Sequence, residues 1–361
     1  MYQKKVINIQ FLRAIAALVV VMYHTSDHFF VVGGERTGNI FSFMSSIGYI
    51  GVDIFFIISG YIMWITTKNT QGVQGVIQFV FSRLTRIYLS YWVFLLAMFY
   101  LYHHKLEKFD IMGSIFLSAT SSSTLLLKVA WTLQFELYFY TFFALLLFLN
   151  RKYVIRILVS FFFLIILIQV YGSIHIDMYA KNVFNGVSTF YTFWTSPFIL
   201  EFLLGSFIGY YFDTKRIKYL FPFYILFIGL LVIAMVYQKN YIDGSLAEGY
   251  YLPARILFLG TSSAVLLVVA IELNKRNIIL FPYFSLLVGG ASYSMYLGHN
   301  MILLILYGVG VRDSIAELGS YQVYLMLIIV IFIVILSVIY YQLIEKRIMR
   351  YVKYLKTNYI F

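Results

Sequence analysis

Residues 12–28 read LRAIAALVVVMYHTSDH. The stretch is apolar enough to span a membrane, yet it opens on Arg13 and closes on His24, Asp27 and His28. Arg13 and His24 stand eleven residues apart. At 100° per residue that is three turns plus about 20°, so both fall on one helical face, roughly 16 Å apart along the axis. The spacing predicts one span serving two sides of a membrane. An arginine inside a span faces protein or a watery cavity, because hydrocarbon is too costly for it. The alternative for Arg13 is snorkelling to headgroups. The alternative for His24 is a buried imidazole satisfied by Asp27, three residues on.

The rest of the chain makes the same solvent argument. Of 361 residues, 62% are hydrophobic and 12% charged, with a mean hydropathy of +0.86. Soluble domains keep about a quarter of their residues charged, so a soluble globule is excluded. Apolar runs of about 20 residues are what a hydrocarbon core demands of helices, whereas barrel strands show short alternation of period two. The fold class expected is an all-α integral membrane protein with about ten spans, near 7–30, 46–66, 87–104, 130–149, 154–172, 191–212, 218–238, 253–272, 283–308 and 321–344. Segment 111–127 is Ser/Thr-rich and only moderately apolar, and is expected to dip into the outer face without crossing.

With those spans, 18 basic residues fall on one side, from Lys4 and Lys5 to Lys353 and Lys356. Seven fall on the other: Arg36, Lys105, Lys108, Lys128, Lys181, Lys239 and Arg312. That bias puts both termini in the cytoplasm by the positive-inside rule. The net charge of +12 is therefore read as topology and not as a nucleic-acid surface. There is no cysteine, which excludes disulfides, thiolate metal sites and a cysteine nucleophile. Residues 1–361 are expected to form a single transmembrane domain with no appended soluble domain.

Helix rise gives approximate depths. His24 lies about 25 Å above the cytoplasmic start of the first span, and His299 lies at a similar height in the ninth. Asp53 and Glu136 enter their spans from the outer face, and Arg255 begins the eighth near the same level. Each charge costs a few kcal/mol at a helix centre, so their convergence predicts a shared polar site. In SYSMYLGH, Ser292, Tyr296 and His299 share one face. Arg83 and Arg86 sit three residues apart at the start of the third span, a spacing at which two guanidiniums grip a phosphate; lipid-headgroup contact is the plainer alternative. Gly51 and Gly60 are read as close helix contacts, and Glu201 is given no role. The six histidines form no recognised metal-ligand spacing, so no metal is expected.

In this order, Arg13-x10-His24, GVDIFFIISG, Arg83-Leu-Thr-Arg86, WTLQFELYFY, FLLGSFIGY, SYSMYLGH and Ile344-Glu345-Lys346 resemble the membrane-bound acyltransferase family 3 across nearly the whole chain. Two places depart from its pattern. A proline common after the arginine pair is absent from Ile87-Tyr88-Leu89-Ser90, and Glu345-Lys346-Arg347 replaces Glu-x-Pro. Some relatives carry a hydrolase-like domain after the tenth span, where this chain stops at Phe361. The resemblance implies a ten-span enzyme of a bacterial-type cytoplasmic membrane. Such an enzyme moves an acyl group, commonly from acetyl-CoA, to a carbohydrate hydroxyl of a surface polysaccharide or its lipid-linked precursor.

On that footing Arg83 and Arg86 would hold the donor's phosphates, and its pantetheine arm would thread past Arg13 to His24. His24 would act as general base, with an acyl-histidine as the lesser alternative. Asp27 or Glu136 would orient the ring, and Asp53, Tyr296 and His299 would meet the acceptor or the thioester. The rival functions are a transporter or flippase for a lipid-linked sugar, and a scaffold for polysaccharide assembly.

Overall fold

The computed structural model describes residues 7–29, 40–118, 123–175, 193–212, 214–241, 252–312 and 321–355. Lys4, Lys5, Arg36, Lys181 and Lys356, which enter the charge count, lie outside them, as do residue 30 of the first expected span and 191–192 of the sixth.

Helix α1 (Ile7–Phe29) is the hub. It packs on α2 (Ile40–Ile47), on α3 (Ile50–Thr66) and on helices from the far end of the chain. Small residues let them approach: Ala14, Ala16 and Ala17 are fully buried, and a Cβ on Gly51 would collide with the Ala16 carbonyl. Close backbone approach is how helices associate where lipid removes the hydrophobic drive. The start of α1 is pinned through Asn8, whose amide donates to the Ile278 carbonyl (2.7 Å) and whose oxygen accepts from Leu280 N–H (2.9 Å).

Helix α4 (Gly72–Leu101) is 30 residues long and begins well before the expected 87, because an amphipathic run precedes the apolar one. Arg83 and Arg86 therefore lie within the helix. Helix α5 (Ile111–Phe116) has six residues, too few to cross. It is docked on α4 by Tyr91, which donates to the Ser114 carbonyl, and by Tyr88, which donates to that of Phe116. Next come α6 (Trp131–Leu146), α7 (Arg151–His175) and α8 (Phe198–Phe212). Helix α8 has its most extensive contact with α3, where Gly60 meets the Phe202 carbonyl and Gly205 that of Ile57 so closely that neither position has room for a Cβ.

Helix α9 (Phe221–Tyr241) is peripheral, with only Ala234 buried. A buried helix follows as α10 (Leu252–Arg255), one π turn (Ile256–Gly260) and α11 (Thr261–Lys275). The ninth expected span is broken into α12 (Pro282–Leu287) and α13 (Ser292–Gly308) by Gly289 and Gly290, the former pressed on the Gln10 carbonyl. Last come α14 (Gln322–Tyr340), a π turn (Tyr341–Glu345) and α15 (Lys346–Leu355). No strand occurs among the described residues. Seven of the described helices are long and apolar enough to cross a membrane, and Ile50–Thr66 and Phe198–Phe212 are shorter apolar helices. Large apolar side chains exposed on α7, α9 and α14, among them Leu167, Ile228 and Ile331, present the surface that lipid tails would cover.

Candidate active site

Two cavities lie along α1. The first, of about 80 Å³, is lined by Arg13, Arg83 and Arg86 together with Ser59, Glu136, Tyr140 and Tyr293. The second, of about 610 Å³, is lined by His24, Asp27 and His28 together with Lys128, Trp131, Arg255 and Asn300. Val52 and Tyr296 line both, so the two adjoin at those side chains. The eleven-residue step on α1 puts Arg13 in one cavity and His24 in the other, on one face as the helical period requires.

In the arginine cavity the Arg13 side chain is buried against protein and bonds Gln10 (3.1 Å), so it does not snorkel. Arg83 donates to Thr66 Oγ1 (2.7 Å), with its guanidinium 5.6 Å from the centre of the Tyr140 ring. Glu136 accepts from Ser59 and from Tyr140, both at 2.8 Å. Three guanidiniums thus face one carboxylate on the wall, an excess of positive charge suited to phosphate oxygens. Glu345, held by the Ser294 hydroxyl, is within electrostatic range of Arg13 and Arg86 and balances part of it.

Glu136 corrects the sequence expectation. It was placed level with His24, but it lines the arginine cavity and not the histidine one. Five residues separate it from Trp131, which does face His24's cavity, and five residues of helix descend about 7.5 Å. Of the two candidates to orient His24, only Asp27 shares its cavity.

At the other end, the His24 ring lies 5.0 Å from that of His299 and 4.9 Å from Tyr23, centre to centre. His299 is fully buried. Its Nδ1 donates to the Met295 carbonyl (3.1 Å), and its Nε2 has no hydrogen-bond partner. It stands behind His24 and does not line the cavity, which corrects its expected contact with substrate. Tyr296 donates to the Val129 carbonyl (2.9 Å) and accepts from Thr132 (3.0 Å), tying α13 to the start of α6 at the junction of the cavities.

Asp53 is corrected as well. Both its oxygens are taken by Arg255, at 3.0 Å from Nε and 2.9 Å from Nη2, and it lines neither cavity. A carboxylate drawn that deep requires a bonded partner, and the guanidinium 202 residues away supplies it. The residue facing the histidine cavity is therefore Arg255, which the sequence placed at the right depth without a role. Its signal was a lone cation at the start of an apolar span; a π turn follows it directly, and another contains Glu345. Such turns often mark functional positions in helices. His24, Asp27 and His28 also qualify the expectation of no metal, because their potential ligand atoms all lie within 4.8 Å of one another. A helix brings i, i+3 and i+4 together in an order that matches no familiar ligand motif.

Comparison with known proteins finds a match to the acyltransferase domain model of family 3 over residues 6–342. A relative, the exopolysaccharide production protein ExoZ of Rhizobium meliloti (strain 1021), is 27% identical over 289 residues, 76% of this chain and 82% of its own. No solved structure matches.

Proposed function

The chain belongs to the family 3 acyltransferases, and from that premise we propose that it is an O-acyltransferase, in the first place an O-acetyltransferase. It carries an acyl group from cytoplasmic acyl-CoA to a sugar hydroxyl of a surface polysaccharide, or of its lipid-linked precursor, on the outer side of the cytoplasmic membrane. Family membership answers the transporter and scaffold alternatives. The observation that carries the reading is the pair of adjoining cavities on one face of α1, one lined by arginines and the other by histidines. The polysaccharide acceptor is supported by the name of the relative, a protein of exopolysaccharide production.

In this reading ten spans leave both termini in the cytoplasm, and the arginine cavity opens inward. Arg83 and Arg86 bind the nucleotide phosphates of the donor, while Arg13 steadies the pantetheine arm as it passes Val52 and Tyr296. The acceptor hydroxyl enters from outside, beside His24. The imidazole takes the hydroxyl proton as the oxygen attacks the thioester carbonyl, and Asp27 steadies the imidazolium. The carbon–sulfur bond then breaks, and the departing thiolate takes the proton from His24. Ester and free CoA leave on opposite sides. His299 positions His24, and Arg255 lines the acceptor side.

The test is NMR of surface polysaccharide from cells lacking the gene, restored with wild type, or restored with His24→Ala at equal abundance. Ester-linked acyl resonances should vanish on deletion and return with wild type alone. Their return with His24→Ala would remove His24 from the chemistry.

A further inference from the structure

We propose that His24, Asp27 and His28 form a zinc site at the mouth of the histidine cavity, at which a Zn²⁺ ion from the acceptor side reversibly blocks transfer. The proposal rests on the reading of His24 as the base and deepens it. The three residues lie at i, i+3 and i+4 in the last two turns of α1, with their ligand atoms within 4.8 Å of one another. Small rotamer changes bring such a set onto one cation.

One ring is prepared for it. His28 Nδ1 lies 2.9 Å from the His24 carbonyl; donating there leaves Nε2 with its lone pair. Metal-bound histidines characteristically donate their second N–H to a carbonyl or carboxylate in this way. Two imidazoles and one carboxylate are the ligand types that favour zinc over magnesium or calcium. Three protein ligands leave a fourth position for water, and a cavity of about 610 Å³ has room for it. Beside the site stands the orphaned Nε2 of His299, fully buried and without a hydrogen-bond partner, its ring 5.0 Å from His24. Because His299 does not line the cavity, the ligands of the cation are limited to His24, Asp27 and His28.

Charge does not oppose the site. Arg255, on the same wall, is paired with Asp53, Lys128 is exposed, and Asp27 offsets part of the cation's charge. The consequence is chemical: an imidazole nitrogen coordinated to Zn²⁺ cannot accept a hydroxyl proton, so zinc and the reaction compete for His24.

The experiment uses the full chain in lipid nanodiscs, with Zn²⁺ alone followed by calorimetry, Co²⁺ as a spectroscopic stand-in, and labelled acetyl transfer measured in parallel. We expect one Zn²⁺ per chain, Co²⁺ absorption of a tetrahedral N/O site, and inhibition that EDTA reverses. His28→Ala removes a ligand but no group used in the reaction. Measured against the variant's own zinc-free rate, its zinc affinity and inhibition should weaken by more than about 100-fold, beyond the 10–100-fold typical of losing an outer hydrogen bond to a ligand. His28→Asn serves the same comparison if the alanine variant is poorly folded. Absence of stoichiometric binding, or binding unchanged in the His28 variants, would overturn the site. Binding at these residues with transfer at full rate would keep the site but contradict His24 as the base.

Discussion

The two cavities along α1 are built on opposite principles. One is narrow, about 80 Å³, with three guanidiniums, of which Arg13 is held by Gln10 and Arg83 by Thr66 and aromatic faces, and with two carboxylates near them. The other is several times larger, with histidines at the end of a helix and a guanidinium already committed to a buried carboxylate. The first suits a group of fixed shape and charge, such as a phosphate, because rigid donors lose little entropy on binding. The second has room for a bulky polar molecule and places a titratable ring beside it. In the proposed reaction, that difference would separate the binding of a charged donor from reaction at an acceptor, within one helix bundle.

Substitutions should divide along that line. The largest effect is expected from His24→Ala, which should lower transfer by about 10²–10⁴-fold, the usual contribution of a general base. An equal loss of donor binding would place His24 with the arginines instead. Next comes Asp53→Asn, which removes the carboxylate bonded to the buried Arg255 and leaves it only the neighbouring Glu201 as an acid; breaking such a pair costs about 3–5 kcal/mol. The unfolding midpoint in detergent should fall, and replacing Arg255 by Met as well should recover part of the loss. An unchanged midpoint would mean that Glu201 replaces Asp53 as the counter-charge of Arg255.

A smaller effect is expected from Arg83→Ala with Arg86→Ala. It should raise the donor KM roughly 10–100-fold while kcat changes less, since the lost contacts bind ground state and transition state alike. A KM that does not move would favour lipid-headgroup contact. The smallest effect is at the junction, where Tyr296→Phe removes a hydroxyl bonded to Val129 and Thr132. The cost should be about 1 kcal/mol, read as less than a tenfold change in rate with both substrates affected.

The pattern of apolar runs made the helical class legible, and the period of α1 was enough to put Arg13 and His24 on one face. Helix rise also predicted the nearness of His24 to His299, because both depths could be counted from span ends. What could not be counted was which way a side chain at a given depth turns. Glu136 and Asp53 were both placed near His24, yet one faces the arginines and the other is absorbed by Arg255. Packing decides that choice, and a single sequence does not encode it as periodicity. The early start of α4, the Gly289–Gly290 break and the two π turns escaped for a related reason. Each interrupts or extends an apolar run without changing its composition.

In the proposed reaction, donor and acceptor are used from opposite sides of one membrane. The direct test is a set of proteoliposomes with the chain in one orientation, labelled acetyl-CoA on the Arg83 side alone, and de-esterified polysaccharide from the parent cells on the other. Labelled ester is expected on the polysaccharide, and none with His24→Ala. Label that appears only when both substrates share a side would contradict the two-sided reaction.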